Sequence, residues 1–183
     1  MELVRDSTNQ DVQSFLLSAY QQLQLNYPKF YKMDHISKLG WLAAEVLLKE
    51  EQLQDVRAED MAIVLQNAHA SLDTDVKYYE TVSDIASPAL FVYTLPNIVI
   101  GEISIRHKFK GENAFFVANT FDATLTAQYV GSLLDRKSAT HCICGWVDVL
   151  DESYKAVLFL VANSDKGIAF TADNMRTIFN GEN

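Results

Sequence analysis

Glycine and proline are scarce in this chain, at seven and three among 183 residues. That is roughly half the usual share of a soluble domain, and it excludes a loop-dominated β fold, whose tight turns draw on both residue types. Cysteine is scarcer still. The two present, Cys142 and Cys144, lie two apart in a strand-like stretch, sharing a face on a backbone too extended for an easy bridge. Both are expected to be reduced. Basic charge is also short, 15 Lys and Arg against 24 Asp and Glu for a net charge of -9. Such a chain repels phosphate backbones and anionic lipid unless its cations cluster. The best patch, Arg106, His107, Lys108 and Lys110, reads as a solvated helix end, where cations suit the dipole. Nucleic acid and membrane are therefore not expected as partners. The apolar run Ala156 to Ala162 falls far short of the roughly 20 residues a membrane helix needs. The start, Met1 to Ser7, lacks a basic region followed by an apolar stretch, so no secretory signal is read and a cytoplasmic address is expected.

What is present can build a core: 49% of residues are hydrophobic and 21% charged. Val12, Phe15, Leu16, Ala19 and Leu23 recur at helical spacing, with Thr8, Asn9 or Asp11 able to cap the helix start. After an aromatic connector, Asp34 can cap a second helix carrying Ile36, Leu39, Leu42, Val46 and Leu47, which ends in the acidic run Lys49 to Gln52. Met61 to Leu65 is an unbroken apolar run of strand length, the pattern of a strand covered on both faces. Ser71 to Asp84 has a weak helical pattern. Ala89 to Tyr93 reads as extended, and Pro96 opens a helix running to about Lys108 that Gly111 ends. Ala114 to Ala118 is strand-like, Asp122 caps a helix through Ala127, Val130 and Leu134, and Thr140 to Leu150 and Tyr154 to Ala162 are two more strands. A short helix near Asp173 to Phe179 closes an α/β unit without repeats or linkers.

Catalytic signatures are missing: there is no G-x-S-x-G elbow, no Walker loop and no C-x-x-C pair. His141, Cys142, Cys144 and Asp148 lie close in sequence, but on a strand the cysteines face away from His141, so structural thiols rather than a metal site are expected. His35, His69 and His107 each stand apart from any partner visible in sequence, and a lone histidine is more often structural. Ser71 with Asp73 and Asp75 could suggest hydrolytic chemistry, yet capping residues at a helix start look the same. No cofactor or metal site is read.

Two stretches, Phe30-Tyr31-Lys32-Met33-Asp34-His35-Ile36-Ser37-Lys38-Leu39 with Ala43-Ala44, and Ser87-Pro88 through Leu95-Pro96-Asn97 with Gly101 and Ile103 to Ile105, carry a resemblance. A third, Gly111-Glu112-Asn113, follows in order. Taken together they resemble the N-terminal half of the β-ketoacyl-[acyl-carrier-protein] synthases of the thiolase-like superfamily, with its R-M-D-x-x-S-x-L, S-P…L-P-N and G-P-N segments. The resemblance covers roughly Tyr27 to Val149. It implies an α/β fold that is a thiolase-like half, a mostly parallel sheet with an antiparallel edge strand layered between helices, and residues 1–183 as a single truncated ketosynthase-like domain.

The family's nucleophile turn carries a cysteine at the start of a buried helix. Here the matching stretch is Ala118-Asn119-Thr120-Phe121-Asp122-Ala123, so Phe121 stands at the nucleophile position and Asp122 brings negative charge beside it. Phenylalanine cannot attack a thioester, and no catalytic residue is assigned. The resemblance thus implies a non-catalytic, chain-length-factor-like accessory subunit in fatty-acid-like, polyketide or aryl polyene biosynthesis. Its expected partners are a ketosynthase in a heterodimer or a second copy in a homodimer, and an acyl carrier protein. The alternatives are a binding or scaffold module on the same fold, unrelated to acyl chemistry, and an active acyltransferase or hydrolase using another nucleophile. A single half is expected to expose an apolar helix face, with Leu125, Val130 and Leu134 as its residues. The family's dimer joins two sheets through the strand before the nucleophile turn, which places the interface here at Phe115, Phe116, Val117 and Ala118. The competing reading of that stretch is a central strand inside one protomer.

Overall fold

The apolar run at Met61 becomes β1 (Met61–Asn67), buried along its whole length. β2 (Asn113–Val117) and β3 (His141–Leu150) pair with it in parallel, and β4 (Ser153–Ala162) returns antiparallel to β3. The sheet order is β2-β1-β3-β4, so β2 is one edge and the antiparallel β4 is the other. This computed structural model describes residues 11–51, 53–164 and 167–182.

Alternation along the strands sorts the core into two layers. Ile63 and Leu65 of β1 and Ile143, Val147 and Val149 of β3 form one cluster with α1 (Val12–Gln22), α2 (His35–Leu48) and α5 (Ile98–His107). Ala62 and Val64 with Cys142 and Cys144 meet Val130 and Leu133 of α6 (Ala123–Asp135) on the opposite face. Between β1 and α5 lie α3 (Leu72–Val82) and the single turn α4 (Pro88–Phe91), and α7 (Ala172–Asn180) closes the chain. Helix starts are set by short acidic caps. Asp11, Asp34 and Asp122 accept the amides of Ser14, Ser37 and Leu125 at 2.9, 3.0 and 2.9 Å. The other caps weighed for α1, Thr8 and Asn9, lie outside the described residues, as does Gln52 at the end of the acidic run.

Three expectations are corrected. Ala89 to Tyr93 is not extended, because Ser87 accepts the Leu90 amide and Pro88 pre-sets the first helical φ, together nucleating α4. Gly111 does not end α5. Lys108 does so in the left-handed region at φ 61°, while Gly111 lies against the carbonyls of Met61 and Glu59, where a Cβ has no room. Nor is the apolar face of α6 exposed, since Val130 has 0% exposure and Leu125 and Leu134 are half-buried. α6 covers the second face of the sheet, which would otherwise stand open.

Candidate functional site at the head of α6

β2 ends at the carboxyl edge of the sheet and turns through residues 118–122 into α6. Parallel α/β sheets place ligands and chemistry at that edge. Phe121 is 8% exposed and packs in a cluster with Ala123, Trp146 and Met175. Its ring centroid lies 4.9 Å from that of Phe179 on α7 and 6.1 Å from that of Phe159 on β4. The ring fills its own space at the helix head.

Gln66, Asp122 and Thr126 form a hydrogen-bond network beside it. The Asp122 amide donates to Gln66 Oε1 at 2.9 Å, and the Asp122 carbonyl accepts from Gln66 Nε2 at 3.0 Å and Thr126 Oγ1 at 2.9 Å. Gln66 Nε2 also donates to Thr126 Oγ1 at 2.6 Å. The Leu125 amide, which a bound anion would need, already donates to Asp122 Oδ1. Of the hydroxyls on α6, Thr126 is held in this network and Thr124 accepts from Arg176 Nη2 at 2.6 Å.

The cysteines stand elsewhere, free and fully buried on β3. The hydrogen bond with Cys142 and burial push the Cys144 thiol well above its usual range, which keeps it a protonated, poor nucleophile. His141 occupies the opposite parity and lies 3.0 Å from the Thr140 hydroxyl. Among the described residues, no group of three or more His, Cys, Asp or Glu could hold a metal ion.

The histidines read as isolated all have carboxylate partners. His69 Nδ1 lies 2.8 Å from Asp148 Oδ2, His35 Nδ1 3.3 Å from Asp73 Oδ2, and His107 Nε2 3.0 Å from Glu45 Oε1. These pairs are 79, 38 and 62 positions apart in sequence, so no local spacing signals them. For one of them the parallel pairing of β1 with β3 supplies the signal, because Gln66 opposite Trp146 sets His69 beside Asp148. The basic patch at the end of α5 is divided: Lys108 and Lys110 are exposed, as a solvated helix end requires, whereas Arg106 also binds Glu45, at 2.9 and 3.2 Å, and lies over the rings of Tyr27 and Trp41. Ser71 sits at the cap position of α3 but donates its hydroxyl to Asp75 at 3.0 Å, making no side-chain cap bond.

At the sheet edge, Phe115 packs toward the α2 and α5 layer, while Phe116 meets Tyr129 of α6 with ring centroids 5.3 Å apart. Val117 is 57% exposed and Ala118 donates its amide to Asn67 at 2.9 Å. β2 is not a central strand: its outer side has no neighbour among the described residues. A shallow cleft of about 430 Å³, lined by Glu45, Leu48, Leu53, Val56, His107 and Phe109, lies at the amino ends of the parallel strands, opposite the head of α6. No helix among the described residues is long and apolar enough to cross a membrane.

No protein-family model and no curated protein matches the chain. Solved structures do. The ishigamide ketosynthase/chain length factor matches with a TM-score of 0.61 at 22% identity, over 72% of this chain and 38% of that one. The ketosynthase ApeO in complex with its chain length factor ApeC, from Xenorhabdus doucetiae, gives 0.53 at 18% identity over 69% and 50%. AntDE:AntF, a type II polyketide synthase acyl-carrier protein in complex with its ketosynthase bound to the hexaketide, gives 0.56 at 19% identity over 78% and 47%. The chain therefore spans between 38% and 50% of the length of these matched chains. It has the α/β fold of a thiolase-like half, with a mostly parallel sheet, an antiparallel edge strand and helices on both faces.

Proposed function

We propose that this ketosynthase-fold chain is a non-catalytic accessory subunit, chain-length-factor-like, working beside a true ketosynthase in fatty-acid-like, polyketide or aryl polyene assembly. One observation carries the reading. The head of α6, where the family resemblance puts the attacking cysteine, holds a buried Phe121 ring, and the Asp122 carboxylate occupies the Leu125 amide of the first turn. A thioester finds no nucleophile at that position. The similar structures of a ketosynthase with its chain length factor and of a ketosynthase with an acyl-carrier protein support a two-protein assembly on a carrier-borne chain. The open outer edge of β2, with Phe115, Phe116, Val117 and Ala118, is the surface assigned to dimer formation, since an edge without Lys or Pro invites a further strand. Intact mass after incubation with an acyl-carrier thioester tests the catalytic part, with no adduct expected. A stable acyl adduct overturns the reading, and failure to bind any ketosynthase of the source organism favours the scaffold module instead.

A further inference from the structure

α3 is amphipathic in the wrong sense for a helix lying on its own core. Two of its polar residues point inward. Asp73 and Thr74 are buried. Asp73 Oδ2 binds Lys77 Nζ at 2.7 Å, its Oδ1 accepts the Asp151 amide at 3.1 Å, and Thr74 Oγ1 donates to Asp34 at 2.8 Å. Leu72, Val76, Tyr79 and Val82, spaced by four, three and three residues, form a stripe on the outer face, with Tyr79 78% exposed. Ile85, 80% exposed, and Phe91 extend the patch beyond the helix, and the Phe91 ring lies 5.5 Å from that of Tyr78. Exposed apolar side chains gathered on one helix face and just beyond it mark an interaction site.

The charges along the stripe are of one sign. Asp75 lies within it, and Glu80 and Asp84 border it as exposed residues. The one cation of the helix, Lys77, is held by Asp73. A second copy would set acid against acid in a chain of net charge -9, and an anionic lipid surface is repelled for the same reason. We propose that the outer stripe of α3 docks the ketosynthase partner, distinct from the β2 edge, and that the partner meets it with apolar side chains bordered by Lys or Arg. This rests on the accessory-subunit reading and specifies a second contact for it.

The experiment combines hydrogen exchange with affinity, using ketosynthases of the source organism purified singly and added to the full chain. Amides of residues 72–82 are expected to slow on binding. Tyr79→Ala, at an exposed position that leaves the fold intact by circular dichroism, is expected to raise Kd by about tenfold. Glu80→Lys with Asp84→Lys is expected to weaken the complex and remove its sensitivity to salt. If a ketosynthase binds while residues 72–82 exchange unchanged, or Tyr79→Ala binds like the parent, the α3 assignment falls and the accessory role stands. If no ketosynthase binds, both fall. Self-association abolished by Tyr79→Ala in sedimentation assigns the face to a second copy and overturns the proposal.

Discussion

Asp148 reaches from β3 to His69 in the turn after β1, with Oδ2 2.8 Å from the ring Nδ1, while Oδ1 accepts the amides of Ala68 and His69 at 3.2 Å each. The carboxylate therefore anchors the turn that launches α3, and the imidazole is the lesser part of the contact. Asp148→Ala strips two backbone amides of their acceptor and is expected to cost about 2 kcal/mol, whereas His69→Ala leaves those bonds in place and costs under about 1 kcal/mol. Urea unfolding midpoints of the two variants check the ranking; equal losses would mean that the imidazole, not the amides, fixes the turn.

Glu45 sets an acid limb on stability. Burial pushes its carboxyl up, but the close His107 ring and the hydrogen-bonded Arg106 guanidinium outweigh burial and hold it at about 2. A carboxyl depressed in the folded state adds stability above its unfolded value, near 4.5, and that stability is lost as pH falls toward 2. Asp73, also held at about 2 against burial by His35 and Lys77, acts in the same window. Thermal melts between pH 5 and 2 are expected to fall more steeply for the parent than for Glu45→Gln, the difference approaching about 2 kcal/mol. Parallel curves would refute the coupling.

Two helical glycines are expected to respond oppositely to alanine. A Cβ on Gly40 would run into Val99 on α5 and press on Val147 of β3, whereas one on Gly131 of α6 meets nothing within 4 Å. Alanine is favoured over glycine in a helix by about 1 kcal/mol, so Gly131→Ala is expected to stabilise by about that amount. Gly40→Ala is expected to destabilise by about 1 to 3 kcal/mol, because the overpacking between α2 and α5 exceeds the propensity gain. Guanidinium unfolding of both variants gives the signs directly.

The elements readable beforehand were those with a strong local signal. The all-apolar run of β1, the Asp34 and Asp122 caps, and the alternation that sends Cys142 and Cys144 to one face and His141 to the other all appear where the sequence puts them. The Asp of the M-D segment acquires a physical role, capping α2 through Ser37 and tying α3 down through Thr74. Illegible were features made by distance. His69 meets Asp148 only because two strands far apart in sequence run parallel. The outward stripe of α3 was hidden because spacing gives a face and not its direction. Only the buried bonds of Asp73 and Thr74 show that the polar side turns inward.

Val117→Lys tests the β2 edge. Val117 is the last residue of the strand and 57% exposed, so a lysine is tolerated by the isolated chain, where its head group reaches water. Across a paired sheet edge the same ammonium would be stripped of water without a partner, which is how exposed edges guard against pairing. Sedimentation velocity is expected to find the variant folded but dissociated from its partner. A variant that remains paired places the interface elsewhere.

Phe121→Cys separates a missing nucleophile from a missing site. Replacing the buried ring empties space beside Phe179, Phe159 and Trp146 and is expected to cost about 3 kcal/mol. The new thiol would sit before the first turn of α6, a location that ordinarily lowers a thiol pKa. Here Asp122 holds its carboxylate on the Leu125 amide, placing negative charge where the helix would otherwise favour a thiolate and an oxyanion. Phe121→Cys alone is therefore expected to condense no malonyl and acyl thioesters, measured by release of carbon dioxide. Phe121→Cys with Asp122→Gly is expected to alkylate faster with iodoacetamide than Phe121→Cys alone, because removing the carboxylate restores the helix head as an electropositive environment. Condensation by the single variant would show that the chain carries a working active site lacking only its sulfur, and would overturn the accessory role.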